Sequence, residues 1–297
     1  MTPWRPADMP DLTGKTALVT GANSGIGLHA VLGLAEHGAH VLLAARNPER
    51  GEKAVATVRE RLPQAKVELV RLDLADLAGV KETAKAVLAE HEHLDLLINN
   101  AGEKMVSKRR VTKDGFECQF GTNHLGHFAL TGLLLPALRP GARIVSITSA
   151  SHRFFGFDAD DPQQERRYLG GRAYGRSKLA NMIFTLELHR RLGGTGITAA
   201  AAHPGFALDA GETLGNPVFD LLAKPIIQDM AAGAMPTLYA ATAPNLPGGT
   251  LVGPGNLTRT KGAPRPEKPS PKATDPRLGR RLWELSEELT DVRYLSS

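Results

Sequence analysis

Short apolar, β-prone runs alternate with helical segments over the first two thirds of this chain, and that alternation constrains the fold more than any other feature. The runs are Thr16 to Thr20 (TALVT), Ala39 to Ala45 (AHVLLAA), Lys66 to Asp73 (KVELVRLD), Leu94 to Asn99 (LDLLIN), Ala142 to Ser149 (ARIVSITS) and Gly196 to Ala202 (GITAAAA). Helical patterns lie between them at Gly27 to His37, Pro48 to Leu62, Leu77 to His91, Phe116 to Leu138 and Tyr174 to Leu192. Strands separated by helices cannot pair as hairpins. They pair in parallel, with helices on both faces of the sheet. The expected fold is α/β: a single domain with a doubly wound, mostly parallel, Rossmann-like sheet. Right-handed crossovers then place a ligand at the carboxyl ends of the strands.

The 297 residues carry a net charge of +5. Lys and Arg are spread widely and interleaved with Glu and Asp, the pattern of a solvated surface and not of a nucleic-acid-binding face. The short basic cluster Lys108-Arg109-Arg110 is too small to change that. The single cysteine, Cys118, excludes an intramolecular disulfide and is expected as a small buried hydrophobe. No run approaches the roughly 18 apolar residues of a membrane helix, and the Pro-rich stretch Met1 to Leu12 has no apolar signal core. A cytoplasmic protein without membrane or nucleic-acid partners is expected.

The first run leads into Thr20-Gly21-Ala22-Asn23-Ser24-Gly25-Ile26-Gly27. A strand, a glycine turn and a helix bring a pyrophosphate against free backbone N–H groups at the positive end of a helix dipole. Gly21, Asn23, Ser24, Gly25, Ile26 and Gly27 are therefore candidate cofactor contacts. The spacing is G-x-x-x-G-x-G, not the commoner G-x-G-x-x-G. Arg46 and Asn47 follow the second run, where the adenosine ribose of a dinucleotide lies. With no carboxylate there for a 2′-hydroxyl, the arginine suits the 2′-phosphate of NADP(H). Asp73 at the end of the third run with Leu74 next to it, and Asn99, Ala101 and Gly102 at the end of the fourth, either line the adenine and ribose side of the crevice or are plain turn chemistry.

The glycine motif, Asn99-Asn100-Ala101-Gly102, Asn123, Ser149 and Tyr174-x-x-x-Lys178 together resemble the short-chain dehydrogenase/reductase family, from about Gly14 to Gly205. The long gap between Ser149 and Tyr174, with Asn123-His124-Leu125-Gly126-His127-Phe128 and Ser177-Lys178-Leu179-Ala180-Asn181, resembles its retinol-dehydrogenase-like branch. That resemblance implies a preference for NADP(H). Reducing a ketone needs a hydride and a proton for the developing alkoxide. A tyrosine has an ordinary pKa of about 10; a nearby ammonium and the positive nicotinamide ring favour the phenolate and lower that pKa. Lys178 lies one helical turn after Tyr174, on the same face, where it can also hold the nicotinamide ribose. Ser149 can hydrogen-bond the substrate oxygen. The resemblance implies that Asn123 holds a water relaying protons between Lys178 and solvent. It also implies that Pro204, Gly205 and Phe206 border the nicotinamide end.

The pattern departs from the family in places. The nicotinamide-side loop should carry a hydroxyl where this chain has Asp209. A carboxylate near cofactor phosphates is unfavourable, so Asp209 points away, Thr213 substitutes, or the loop closes differently. Glu103-Lys104-Met105 replaces small and apolar residues near the substrate entrance. His203 is expected as a supporting group. His124 and His127 lack a third partner, so no metal is assigned. An apolar pocket is expected from Ser151 to Gly171 and Phe206 to Ile227, which contain Phe154, Phe155, Phe157, Phe206, Phe219, Leu221 and Leu222.

Residues 1–13 are expected as an N-terminal extension and 14–260 as a dinucleotide-binding catalytic domain with a substrate loop at 205–230. Residues 261–297 are expected as a Pro-rich basic segment and a helix, Arg277 to Leu289, that packs back on the domain. The expected function is NADP(H)-dependent reduction of a carbonyl or oxidation of an alcohol on an apolar small molecule. On the residues alone, a non-redox rearrangement or cyclisation at the same site, or a catalytically silent nucleotide sensor, stays open. The resemblance also implies homo-oligomers built on the two long helices, a contact that the C-terminal extension could block or remodel.

Overall fold

The structure, a computed structural model, describes residues 3–208 and 226–294. Asp209, Thr213, Phe219, Leu221, Leu222 and most of the helix expected over Pro217 to Ile227 lie outside the described residues. One eight-stranded sheet runs in the order β3-β2-β1-β4-β5-β6-β7-β8. Its strands are β1 Thr16–Thr20, β2 His40–Ala45, β3 Val67–Arg71, β4 Leu94–Asn99, β5 Leu138–Ile147, β6 Thr198–Ala202, β7 Leu251–Pro254 and β8 Pro264–Glu267. All pairs are parallel except β7 with β8.

The strands sort their side chains by the two-residue period of a pleated sheet. Ala17, Val19, Val41, Leu43 and Ile98 enter one core, under α1 (Gly25–Glu36), α2 (Pro48–Arg61) and α7 (Met230–Thr242). Leu18, Leu42, Ala44, Leu97 and Ile144 enter the other, under α3 (Leu77–Glu90), α5 (Gly126–Leu134) and α6 (Gly170–Arg191). An irregularity between Leu94 and Leu96 in the pairing of β4 with β5 lets Leu94 share a core with Leu97. From β1 the chain runs outward to β2 and β3 on one side and to β4 on the other. The crevice between these directions opens at the carboxyl ends of β1 and β4.

Three differences from the sequence-based expectation have physical causes. The helix expected from Phe116 to Leu138 is divided into α4 (Cys118–Phe120), a π-helical turn at Gly121–Leu125, and α5. Glu117 starts it by accepting hydrogen bonds from the backbone N–H groups of Gln119 and Phe120. A Cβ at Gly126 would collide with the carbonyl of Leu74, so only glycine lets this helix lie so close to the loop after β3. Pro136, with no N–H to donate, helps end the helical run, and Leu138 already pairs with Leu94 as strand. Second, α6 begins at Gly170, ahead of Tyr174. Third, the sheet continues past residue 260: the Pro-rich segment supplies β8, an edge strand, where prolines interrupt no central ladder.

The last helix, α8 (Pro276–Thr290), starts from an Asp275 cap with proline in its first turn. It buries Trp283 between α5 and α6. The indole ring lies 5.2 Å from Phe128, 6.0 Å from Phe184 and 4.6 Å from Tyr294. The Arg191 guanidinium sits 4.3 Å from the Trp283 ring centre. The two helices through which an oligomer was expected are thus partly covered by this chain's own C-terminal helix. No helix among the described residues is long and apolar enough to cross a membrane.

Trp283 is 2% exposed. Replacing it with alanine is expected to lower the unfolding free energy by about 3–5 kcal/mol, measured by denaturant titration followed by circular dichroism. A loss below about 1 kcal/mol would show that α8 is not part of the cooperative core.

Candidate active site

The turn after β1 is shaped by close packing. Gly21 has φ +62° and lies so near Ala101 that an added Cβ would sit 2.7 Å from the Ala101 Cα. A Cβ at Gly27 would sit 2.5 Å from Asn100 Nδ2. These glycines let the turn after β1 touch the loop after β4. Ser24, the residue before α1, makes no side-chain cap, so the first backbone N–H groups of α1 are left to other partners. They face a cleft of about 630 Å³ lined by Gly21, Asn23, Ser24, Gly25, Ile26 and Gly27. Arg46, Asn47, Asp73, Leu74, Ala101 and Gly102 complete the sequence-predicted part of its wall. Uncapped helix donors beside a glycine turn and an arginine fit a dinucleotide's pyrophosphate and ribose phosphate.

Other predicted contacts lie elsewhere. Asn99 is buried, its Nδ2 donating to Thr131 Oγ1 at 2.9 Å, and it is the next residue, Asn100, that lines the cleft. Asn100 Nδ2 donates to the carbonyl of Thr20 at 2.8 Å. Pro204 and Phe206 are tied to other loops, the first by Gln228 Nε2 on its carbonyl at 2.7 Å and the second by its N–H on the Thr260 carbonyl at 2.8 Å. Gly205, with φ +70°, packs on that same Thr260 carbonyl. Sequence reasoning missed Arg50, Lys104, Thr122 and Met230, which also line the cleft. Of these, Arg50 could have been found four residues after Arg46 at the start of a helix.

The proton-handling candidates meet where β5 ends against α6. Ser149 follows β5, its Oγ accepting the Ser151 N–H at 3.2 Å, and its hydroxyl acts on the Tyr174 phenol to favour the charged form. Lys178 is buried, with Nζ 5.7 Å from the Tyr174 ring centre and donating to the Ile147 carbonyl at 3.2 Å. Thr148 Oγ1 donates to the Lys178 carbonyl at 2.7 Å, which fixes this helix to the strand end. Burial raises the Tyr174 phenol above its ordinary range, and the Ser149 hydroxyl offsets part of that. Burial also pushes Lys178 down to about 8. In the protein alone Tyr174 is therefore a neutral hydroxyl at neutral pH, a proton donor. Its pKa is raised here, whereas an ammonium together with the positive nicotinamide ring was expected to lower it, because desolvation of the phenol outweighs the effect of the Ser149 hydroxyl.

Asn123 lies in the π-helical turn with both ends of its side-chain amide engaged. Its Oδ1 accepts the Glu103 N–H at 2.6 Å and its Nδ2 donates to Ser177 Oγ at 2.9 Å. Its main-chain carbonyl is 3.0 Å from His127 Nδ1, and His127 Nε2 is 2.8 Å from Thr20 Oγ1. Thr20 Oγ1 in turn accepts the N–H groups of Asn100 and Ala101, both at 2.9 Å. Burial pushes His127 down to about 4, so it is neutral, with one donor and one acceptor nitrogen. The carbonyl of Asn123 requires the proton on Nδ1, and Thr20 then donates to Nε2. Helical spacing from Asn123 was the one signal in the sequence for this role of His127.

Gly102 joins the two regions. It lines the cleft, and a Cβ there would lie 3.1 Å from Asn123 Oδ1 and 3.2 Å from Lys178 Nζ. His203 is buried as a supporting group, with Nε2 3.4 Å from the Glu267 carboxylate on β8. The aromatic residues expected in the pocket are divided. Phe155 packs on Gly175, Phe157 lies 5.8 Å from Phe120, and Phe154 is exposed. Cys118 is a buried free thiol. His40, Glu68 and His91 cluster at the amino ends of β2 and β3, at the opposite end of the sheet from the cleft.

Residues 15–210 match the family model described as short chain dehydrogenase. The chain is 40% identical to human retinol dehydrogenase 13, across 95% of this chain and 86% of that protein. The crystal structure of an uncharacterized protein from Mycobacterium paratuberculosis superposes with a TM-score of 0.83 at 40% identity, covering 99% of this chain and 100% of that one. An angucycline C-6 ketoreductase with bound NADP superposes with a TM-score of 0.62 at 27% identity, covering 79% of this chain and 91% of that one. With the glycine turn, the Ser149–Tyr174–Lys178 group and the parallel sheet in one arrangement, this chain belongs to the short-chain dehydrogenase/reductase family of oxidoreductases, in its retinol-dehydrogenase-like branch.

Proposed function

We propose that this oxidoreductase uses NADP(H) to reduce a carbonyl, or oxidise the corresponding alcohol, on an apolar small molecule. The observation that carries this is Gly102, the residue common to the cleft wall and the Asn123–Lys178 pair. A dinucleotide whose pyrophosphate rests on the α1 N-terminus, with its 2′-phosphate at Arg46, would extend past Gly102 toward Lys178. When bound, the reduced nicotinamide supplies a hydride. The NADP-bound ketoreductase of the same fold supports the cofactor choice.

In this reading Ser149 holds the substrate oxygen and Tyr174 donates its proton to the developing alkoxide. Lys178 reprotonates Tyr174 and holds the nicotinamide ribose. Asn123 positions the chain beside Lys178; its carbonyl has a second lone pair for a relay water. Apolar surface at the mouth supports the substrate class. Met105 is 65% and Leu169 48% exposed, and Met105 lies beside Gly171 at the start of α6. The relative named for retinol supports an extended apolar alcohol or aldehyde.

The direct test follows NADPH absorbance with a panel of apolar aldehydes and ketones. Consumption with at least one of them is expected; tight NADPH binding with no turnover on any would sink the redox reading. Tyr174→Phe is expected to cut kcat by at least about 10²-fold with the NADPH dissociation constant changed less than about threefold. Arg46→Ala is expected to weaken NADPH by about 10-fold or more, the loss of a charge-assisted pair, while NADH binding stays near wild type; equal effects on both cofactors would refute the role of Arg46. The kcat/KM for reduction is expected to fall as pH rises through about 8, where Lys178 loses its proton in the free enzyme. A flat profile from pH 7 to about 9.5 would remove Lys178 from the proton path.

A further inference from the structure

Glu103 stands where the sequence pattern of the family has small and apolar residues, and its position is unusual. Its backbone is clamped to the catalytic side of the cleft. The N–H donates to Asn123 Oδ1 at 2.6 Å, and Asn123 Nδ2 reaches its carbonyl at 3.4 Å. From there the side chain crosses the cleft. One carboxylate oxygen lies 3.5 Å from Arg46 Nη1, and the other lies 3.3 Å from Arg110 Nη2. Arg46 follows β2 and Glu103 follows β4, and these strands flank β1 on opposite sides. The contact therefore bridges the glycine turn, and both of its ends line the cleft.

We infer that Glu103 is an internal competitor for the 2′-phosphate site: it occupies Arg46 in the free protein and is displaced onto Arg110 when NADP(H) binds. This rests on the NADP(H) reading above. A guanidinium presents one planar fork to an anion, so a carboxylate and a phosphate contend for it. Two anions at one arginine also repel each other. Arg110 already touches the second carboxylate oxygen, so Glu103 has a landing place that needs only side-chain rotation. A cofactor without a 2′-phosphate leaves the Arg46–Glu103 contact unchallenged. The device thus sets how tightly NADP(H) is held and makes the hold salt-dependent. Arg46 is 63% and Arg110 58% exposed, so each pair is weak and the displacement is small in free energy. A competitor of that strength adjusts the affinity without abolishing it.

The test is a set of dissociation constants for NADPH and NADH, taken from cofactor fluorescence on wild type, Glu103→Gln, Arg110→Ala and the double variant. Glu103→Gln keeps the backbone clamp and the size of the side chain. It is expected to tighten NADPH about 3- to 10-fold and to change NADH less than about twofold. Arg110→Ala is expected to weaken NADPH by a similar factor, because Glu103 loses its second partner. The double variant is expected to bind NADPH as Glu103→Gln alone does. Unchanged or weaker NADPH binding in Glu103→Gln overturns the inference, as does an Arg110→Ala loss that persists in the double variant. Wild type tests the cofactor reading separately, since tighter binding of NADH than NADPH would remove that reading itself. If Glu103→Gln then also loses NADH affinity, the carboxylate serves the ribose hydroxyls and the competition is overturned with it.

Discussion

A sheet covered by helices on both faces leaves little room for polar side chains at the middle of its central strands, and the rest of the molecule follows from that constraint. Leu18 and Val19 point to opposite faces and both are fully buried. Chemistry is therefore confined to the strand ends, where the loops must also satisfy one another's backbone groups. An unsatisfied buried donor costs about 1–3 kcal/mol. Thr20, the last residue of β1, meets that demand by accepting two N–H groups from the loop after β4. The same contact brings the glycine turn and Gly102 to one edge of the crevice, so backbone satisfaction and site assembly are one event.

From Thr20 the hydrogen bonds continue to His127, to the Asn123 carbonyl, and through the Asn123 side chain to Glu103 and Ser177. The direction of the two bonds at the ring is fixed by the neutral state of His127 and the Asn123 carbonyl. An imidazolium would present two donors, and the lone pairs of Thr20 are already taken by Asn100 and Ala101. Burial of the ring, which pushes it down to about 4, keeps this chain of donors in one sense across neutral pH. The cofactor loop and the helix carrying Asn123 are consequently held together by a tautomer.

Strands β1 to β6 were legible because each holds a short β-prone run bounded by turn residues or helical pattern. The four-residue β7 and the Pro-containing β8 were not, since an edge strand needs neither a long run nor every N–H. The helix around Asn123 was legible as helix, but a π-helical turn adds one residue without changing the apolar pattern. In the site, Tyr174 and Lys178 could be read from helical spacing because both come from one element. Asn99 and Asn100 show the limit: neighbours in sequence face opposite sides of a strand end, and composition does not say which faces the ligand. Glu103 stood out in the sequence only as an anomaly, because Arg46 and Arg110 reach it from elsewhere in the chain.

The resting site is more nearly neutral than its residue types suggest. Burial raises Tyr174 and lowers Lys178 to about 8, so desolvation moves an acid and a base each toward its uncharged form. Taking a phenolate and an ammonium out of water together costs free energy, and burial acts on both groups here before a ligand arrives. Lys178 still keeps its proton at neutral pH, and Gly102 is what leaves room for a ligand against it. Any side chain there would fill the space in front of Nζ. The same small residue is followed immediately by Glu103, whose N–H fixes Asn123 and whose carboxylate reaches Arg46. Access to the lysine and occupation of the arginine are thus set by adjacent residues of one loop, and whatever moves Glu103 off Arg46 acts on a backbone already clamped to the proton-handling group.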